Sequence, residues 1–211
     1  MGKYLNSIIP YELYKQEVGK PYFIDKTDMI EELLYVVNGA SNCICIIRPR
    51  RFGKTMIANM LTSYFSKGCN SSDIFDKLHI SNSEDYKKQL NIHNVIHIDF
   101  SQIPMSCNSY IEYITRIEQS LIEDLKIQFP DINISQKDAL WDILDKIYFH
   151  SSEKFIFILD EWDAVFHMKF INTTEMFLFQ IVNLWINLMK CYKKNNLSDM
   201  YINSQKNQNE C

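Results

Sequence analysis

The chain predicts an α/β protein built on a mainly parallel sheet. Three observations carry that reading. Three short runs are almost wholly apolar: Cys43-Ile44-Cys45-Ile46-Ile47, Val95-Ile96-His97-Ile98-Asp99-Phe100 and Phe155-Ile156-Phe157-Ile158-Leu159. Runs of this length and β-branched content suit strands buried on both faces. Segments of helical periodicity separate them, as strand–helix–strand crossovers require. Hydrophobic residues make up 46% and charged residues 23% of the 211 positions, which fits a folded core and excludes a wholly disordered chain.

Taken in order, residues 1–28 read as an irregular lead-in, because Pro10 and Pro21 interrupt helix. Within it, Tyr22 to Thr27 reads as a short extended piece ending in a helix cap. A helix over about 28–37 puts Ile30, Leu33, Leu34 and Val37 on one face, with Gly39 as its stop signal. The first strand, 43–47, follows. After the loop 48–53, a helix from about Lys54 to Ser66 has Ile57, Leu61 and Phe65 in register. Residues 67–92 are polar and mixed and predict surface turns and short helix. The second strand precedes an amphipathic helix over 109–129, with Ile114, Ile117, Leu121 and Leu125 inward and Pro130 ending it. Another helix fits 135–149, with Ser135 and Asp138 as a capping pair. After the third strand, 174–192 reads as one more helix, striped by Phe177, Ile181, Leu184 and Leu188. Its apolar stretch is too short to span a bilayer. A core helix is the favoured reading, a partner-binding helix the second. The organisation expected is a lead-in and helix at 1–40, a core at 41–170, a C-terminal helix at 171–192 and a disordered polar tail at 193–211.

The remaining composition narrows the function classes. Lys plus Arg number 22 against 26 Asp plus Glu, a net charge of -4. That is not the balance of a dedicated nucleic-acid binder. The six cysteines form no CxxC pair, which favours reduced thiols in the cytoplasm over a disulfide framework or a zinc site. The N-terminal residues show no signal pattern. His93 and His97 would converge on a helix, but His97 sits in a strand pattern, where the two lie about 13 Å apart. No metal role is expected of them. Trp141, Trp162 and Trp185 read as core or site-wall residues.

Parallel sheets bind ligands at the carboxyl ends of their strands. The first strand runs into Arg48-Pro49-Arg50-Arg51-Phe52-Gly53-Lys54-Thr55. This carries the second half of the phosphate-loop pattern GxxxxGK[ST], with Arg48 in place of the first glycine. Backbone N–H groups must converge on an oxyanion at a helix start, a lysine must reach the terminal phosphates and a hydroxyl must hold Mg²⁺. The expected nucleotide-contacting residues are Arg50, Arg51, Phe52, Gly53, Lys54, Thr55 and Met56. The basic cluster of Arg48, Arg50 and Arg51 fits a local nucleotide role better than nucleic-acid contact. The third strand runs into Asp160-Glu161. An acid at this place holds Mg²⁺ together with the loop hydroxyl, so Thr55 and Asp160 are the metal-ligand candidates. Glu161 is the candidate catalytic residue, orienting the attacking water. The two motifs, in this order and context, predict a P-loop NTPase: a three-layer αβα fold that binds a nucleotide with Mg²⁺.

The stretch Pro21 to Thr27, the loop RPRRFGKT, the strand VIHIDFS and the segment FIFILDEWDAVF resemble the bacterial AAA-ATPase-like domain family. The resemblance covers about residues 8–170. Its members often carry a PD-(D/E)xK nuclease-like domain after the ATPase, and Arg48 in place of glycine is the family's own departure. The resemblance implies ATP binding by Lys54 and Thr55 and a Mg²⁺- and water-orienting pair at Asp160 and Glu161. Asp25, Lys26, Thr27, Asp99 and Asp163 match recurrent positions to which no role is assigned.

In ATPases with a Glu at the second motif the usual sheet order is 5-1-4-3-2. The three strands found here correspond to 1, 2 and 3. Strand 4, which carries a polar residue facing the γ-phosphate, is not legible after Asp160. The sheet is therefore expected to be incomplete on its C-terminal side, and the chain to be a shortened member of its family; the alternative is that residues 170–211 repack into the gap. The leading expectation is an ATP-binding AAA-like protein with slow Mg²⁺-dependent hydrolysis. The alternative is a catalytically silent nucleotide- or partner-binding remnant. The expected partners are a nucleotide and a protein or second copy of the chain, with no membrane association and no support for nucleic acid from net charge.

Overall fold

The computed structural model describes residues 2–37, 43–47, 49, 52–135, 137–162, 164 and 199–203. The chain is α/β, with a small parallel sheet. Its elements are α1 (Ile9–Val18), α2 (Asp28–Val37), β1 (Cys43–Ile47), α3 (Lys54–Phe65), α4 (Ser72–Phe75), a 3-10 turn (His79–Asn82), α5 (Tyr86–Gln89), β2 (Asn94–Asp99), α6 (Tyr110–Gln128), α7 (Leu140–Ser151), β3 (Phe155–Asp160) and β4 (Asp199–Asn203). The strands are parallel throughout, in the order β1-β4-β3-β2.

Strand alternation divides the interior in two. Ile96, Ile98, Phe155, Phe157 and Leu159 face α6 and α7, which contribute Ile117, Leu121, Leu125, Ile143, Leu144 and Ile147. Val95, Ile156 and Ile158 face the other way, toward Ile57, Ala58 and Leu61 of α3, with Tyr14 of α1 and Ile30 and Leu34 of α2 in the same cluster. Helices thus cover both faces of the β2–β3 pair. At β1 the expectation of burial on both faces fails. Ile46 is buried and Ile44 packs against the α3-side cluster, but Cys45 and Ile47 are exposed, Ile47 by 57%. On that face α6 and α7 lie over β2 and β3 instead.

The first 28 residues are more ordered than an irregular lead-in. Pro10 does not interrupt helix but opens α1, in its first turn, where a missing N–H leaves nothing unsatisfied. Ahead of it, residues 4–6 run antiparallel along the outer edge of β2. Leu5 bridges Ile96, His97 N donates to Tyr4 O at 3.0 Å, and Asn6 N donates to Val95 O at 2.8 Å. The edge of the sheet is thereby covered. Asp124 of α6 fixes this strap by accepting from Lys3, Tyr4 and Leu5 N at 2.9, 2.7 and 3.0 Å.

Two boundaries differ for local reasons. Ser135 N donates to Asp138 Oδ2 at 2.8 Å and Asp138 N to Ser135 O at 3.2 Å, so that pair closes a turn rather than capping the helix. Asp142 instead accepts from Ala139 N, at 3.2 Å, and α7 begins at Leu140. Farther on, the expected polar tail contains a strand. Residues 199–203 lie between β1 and β3, with Ile47 opposite Asn203 and Phe157 opposite Asp199. The sheet therefore has a fourth strand in the position read as missing. The short sequence DMYIN suffices because backbone hydrogen bonds to neighbours on both sides hold it. Residues 67–92 are turns and short helices as expected, although Phe75, Leu78, Ile80 and Tyr86 are buried. The expected helix over 174–192 lies outside the described residues, as do 193–198 and 204–211.

Candidate functional site

Gly53 is the N-cap residue of α3 and has φ +76° and ψ +31°, a left-handed conformation that glycine adopts without a Cβ penalty. It follows a turn in which Phe52 N donates to Pro49 O at 3.3 Å, and its own carbonyl accepts the first helical bond, from Ile57 N at 3.0 Å. An α-helix start presents N–H groups that have no partner within the helix, and here Gly53 sets that start. Lys54, the first helical residue, is buried, with 6% exposure. Phe52 is exposed by 59%, and Met56 packs against the α3-side core. Arg48, Arg50 and Arg51 lie outside the described residues.

Asp160 ends β3 on the α3 side of the sheet and is 1% exposed. Its Oδ1 accepts from Glu161 N at 3.0 Å. Its Oδ2 is buried and has no hydrogen-bond partner among the described residues. Burial pushes the Asp160 carboxyl up to about 6, with the Thr55 hydroxyl hydrogen-bonding it and pulling the other way, and the charges of Asp99 and Glu161 adding to the rise. An orphaned buried carboxylate oxygen needs a partner. Beside a hydroxyl, and with few other donors, a hard cation with oxygen ligands fits it.

The parallel register sets Asp99, at the end of β2, directly beside Asp160. Asp99 is held by Ser101 N at 2.8 Å and Gln102 Nε2 at 3.0 Å. Thr55, Asn59, His97, Asp99 and Asp160 line one cavity of about 180 Å³. Among the described residues no group of three or more His, Cys, Asp or Glu is placed to hold a metal ion. Any cation here would take few protein ligands, as Mg²⁺ does when phosphates and water complete its shell.

Glu161 has φ +51°. A non-glycine residue in the left-handed region costs about 1–2 kcal/mol, and such strain collects at functional sites. The carbonyl of Glu161 accepts from Ala164 N at 2.8 Å, closing a turn directly after the strand. Trp162 packs at the edge of the α6–α7 core, as a wall residue should; Asp163 lies outside the described residues.

His93 and His97 each meet a polar side chain. His97 Nδ1 pairs with Thr62 Oγ1 at 3.2 Å and His93 Nε2 with Gln89 Oε1 at 2.7 Å. Burial lowers both to about 4. The unfolded chain, with imidazoles near 6.5, binds more protons between those values, so stability rises with pH across that window. Asp160 opposes this, because its raised carboxyl binds more protons folded than unfolded between about 4 and 6. Two histidines outweigh one carboxyl. Urea unfolding should show stability fully present above pH 6.5 and falling by on the order of a few kcal/mol toward pH 4, and replacing both histidines by Gln should flatten that slope.

A family model described as "Predicted AAA-ATPase" matches residues 12–203. The chain belongs to this family. No curated protein matches it. The match runs through β4 to Asn203, so the AAA-ATPase-like sequence continues past residue 170, where the resemblance read from the motifs stopped. In this AAA-ATPase-like chain the fold brings Thr55 and Asp160 together, with Asp99 between the motifs in sequence but beside Asp160 in space. Two positions singled out from sequence without a role find a place here: Asp99 lines the cavity and Lys26 reaches the loop before α3. Asn203, at the carboxyl end of β4, was not singled out; its signal was a Met-Tyr-Ile triplet ending on a polar residue. No helix among the described residues is long and apolar enough to cross a membrane.

Proposed function

We propose that this AAA-ATPase-like chain binds ATP with Mg²⁺ on a P-loop NTPase core of three-layer αβα type, and hydrolyses it slowly. The observation that carries the reading is the orphaned Oδ2 of Asp160 beside the Thr55 hydroxyl, in a cavity next to the helix that Gly53 and Lys54 open. Lys54 binds the terminal phosphates. The N–H groups at the start of α3 receive phosphate oxygens, and the left-handed Gly53 leaves room for their approach. Arg50, Arg51 and Phe52 precede them in the loop and Met56 follows, so these four border the nucleotide. Thr55 and Asp160 would hold Mg²⁺, which neutralises phosphate charge when bound.

Glu161 orients the attacking water and takes its proton, from a turn of strained backbone just past the strand end. Asn203, in register with Ile47 before the loop, is assigned to the γ-phosphate side. The order β1-β4-β3-β2 supports this assignment, because it puts β4 between the loop strand and the Asp160 strand.

The test is phosphate release from ATP by the purified chain. Slow steady release is expected with Mg²⁺, and none after chelation. Saturable ATP binding without Mg²⁺-dependent release would assign the silent nucleotide-binding reading instead. The absence of saturable binding would overturn both.

A further inference from the structure

Residues 25–27 have no assigned role in the nucleotide reading, yet the fold carries them to the phosphate loop. Two of the three are occupied in holding the segment. Asp25 Oδ1 accepts from Thr27 N at 2.9 Å and from Thr27 Oγ1 at 2.7 Å. Asp25 Oδ2 accepts from His79 N at 2.8 Å, and Thr27 Oγ1 from Ile80 N at 3.1 Å. Asp25 is accordingly held below the usual carboxylate range by these donors, against a desolvation that raises it. Thr27 is fully buried. This latch pins the start of α2 against the 3-10 turn at 79–82, on both sides of the intervening residue.

That residue is Lys26. Its Nζ donates to Phe52 O at 3.4 Å, and a β-carbon built on Gly53 would lie 3.3 Å from the same Nζ. An ammonium from the segment just before α2 therefore stands against the one glycine of the loop, at the N-terminus of α3. An ammonium carries three N–H donors, so the single long contact to Phe52 does not exhaust it. Four hydrogen bonds flanking a lysine that meets a loop carbonyl are a large structural commitment for one weak hydrogen bond. It is a natural one for a cation that binds oxyanions.

We propose that Lys26 is a second phosphate-binding cation at the loop, donating to the phosphate chain of the nucleotide beside Gly53. The proposal rests on the nucleotide reading given above. It adds one ammonium, from the segment just before α2, to the cationic side chains that the loop sequence itself carries in Arg48, Arg50, Arg51 and Lys54.

The test uses Lys26→Met, which keeps the unbranched stem one atom short of the ammonium and removes its charge, beside Lys26→Arg and Lys54→Ala. Binding of a labelled ATP analogue is displaced with inorganic triphosphate, which has phosphates and no base. Lys26→Met should weaken both ATP and triphosphate by about tenfold or more, the size of a lost hydrogen bond to a charged group. Lys26→Arg should restore most of that loss, and the dependence of affinity on salt should be shallower in Lys26→Met than in wild type. Should Lys26→Met bind ATP and triphosphate as wild type does while Lys54→Ala loses both, the proposal for Lys26 fails and the nucleotide site stands. Should Lys54→Ala also bind as wild type does, the nucleotide reading itself fails. Equal losses in Lys26→Met and Lys26→Arg would make the residue a packing element and also overturn the proposal.

Discussion

Glu161→Gln should retain ATP binding within about twofold and lose turnover by on the order of 10²–10⁴, the range that a positioned general base contributes. The substitution keeps side-chain shape and removes only the ability to take a proton. The backbone at this residue is already in the left-handed region, φ +51°, and Gln meets the same strain as Glu, so the turn closed by Ala164 N should persist. Single-turnover phosphate release beside equilibrium binding separates the two effects. A parallel fall in affinity and rate would move Glu161 from the chemistry to the binding of the nucleotide.

Lys54→Ala should have the larger effect on binding, a loss of ATP affinity of about 10² or more. A charge-assisted contact to phosphate is among the strongest single hydrogen bonds available. At the start of α3 the lysine acts together with the helix N-terminus. The fold should survive the change. Lys54 is the first residue of the helix, and alanine is the best helix former. An unchanged unfolding midpoint in the absence of nucleotide, with loss of the stabilisation that nucleotide gives wild type, would separate a binding defect from a folding defect.

Much of this site was legible in the sequence, because its chemistry is local. Gly53, Lys54 and Thr55 are consecutive, as are Asp160 and Glu161, and each pattern sits where an apolar run ends. The strands β1, β2 and β3 announce themselves by composition, and α2 and α3 by periodicity. What was not legible depends on contacts between distant segments. Pro10 reads as a helix breaker unless one knows that it stands in the first turn of α1. β4 has only Met200, Tyr201 and Ile202 as an apolar stretch, set in a polar surrounding. Its stability as a strand comes from β1 and β3 on either side, not from its own pattern. The pairing of Asp99 with Asp160 follows from register. The approach of Lys26 to Phe52 follows from the latch of Asp25 and Thr27 to residues 79 and 80. No periodicity encodes either.

The fourth strand also changes how the length of the chain bears on function. Reading strand 4 as absent made a silent remnant the natural alternative. With 199–203 paired between β1 and β3, the strand next to the loop has its neighbour, and a polar residue, Asn203, ends it. The case for a nucleotide site then turns on whether the loop itself takes phosphate.

Equilibrium titration of wild type and Lys54→Ala with a labelled ATP analogue and Mg²⁺, side by side, decides that most directly. The account predicts saturable binding by wild type that unlabelled ATP displaces, and no measurable binding by the folded variant. Equal binding by the two proteins would contradict it.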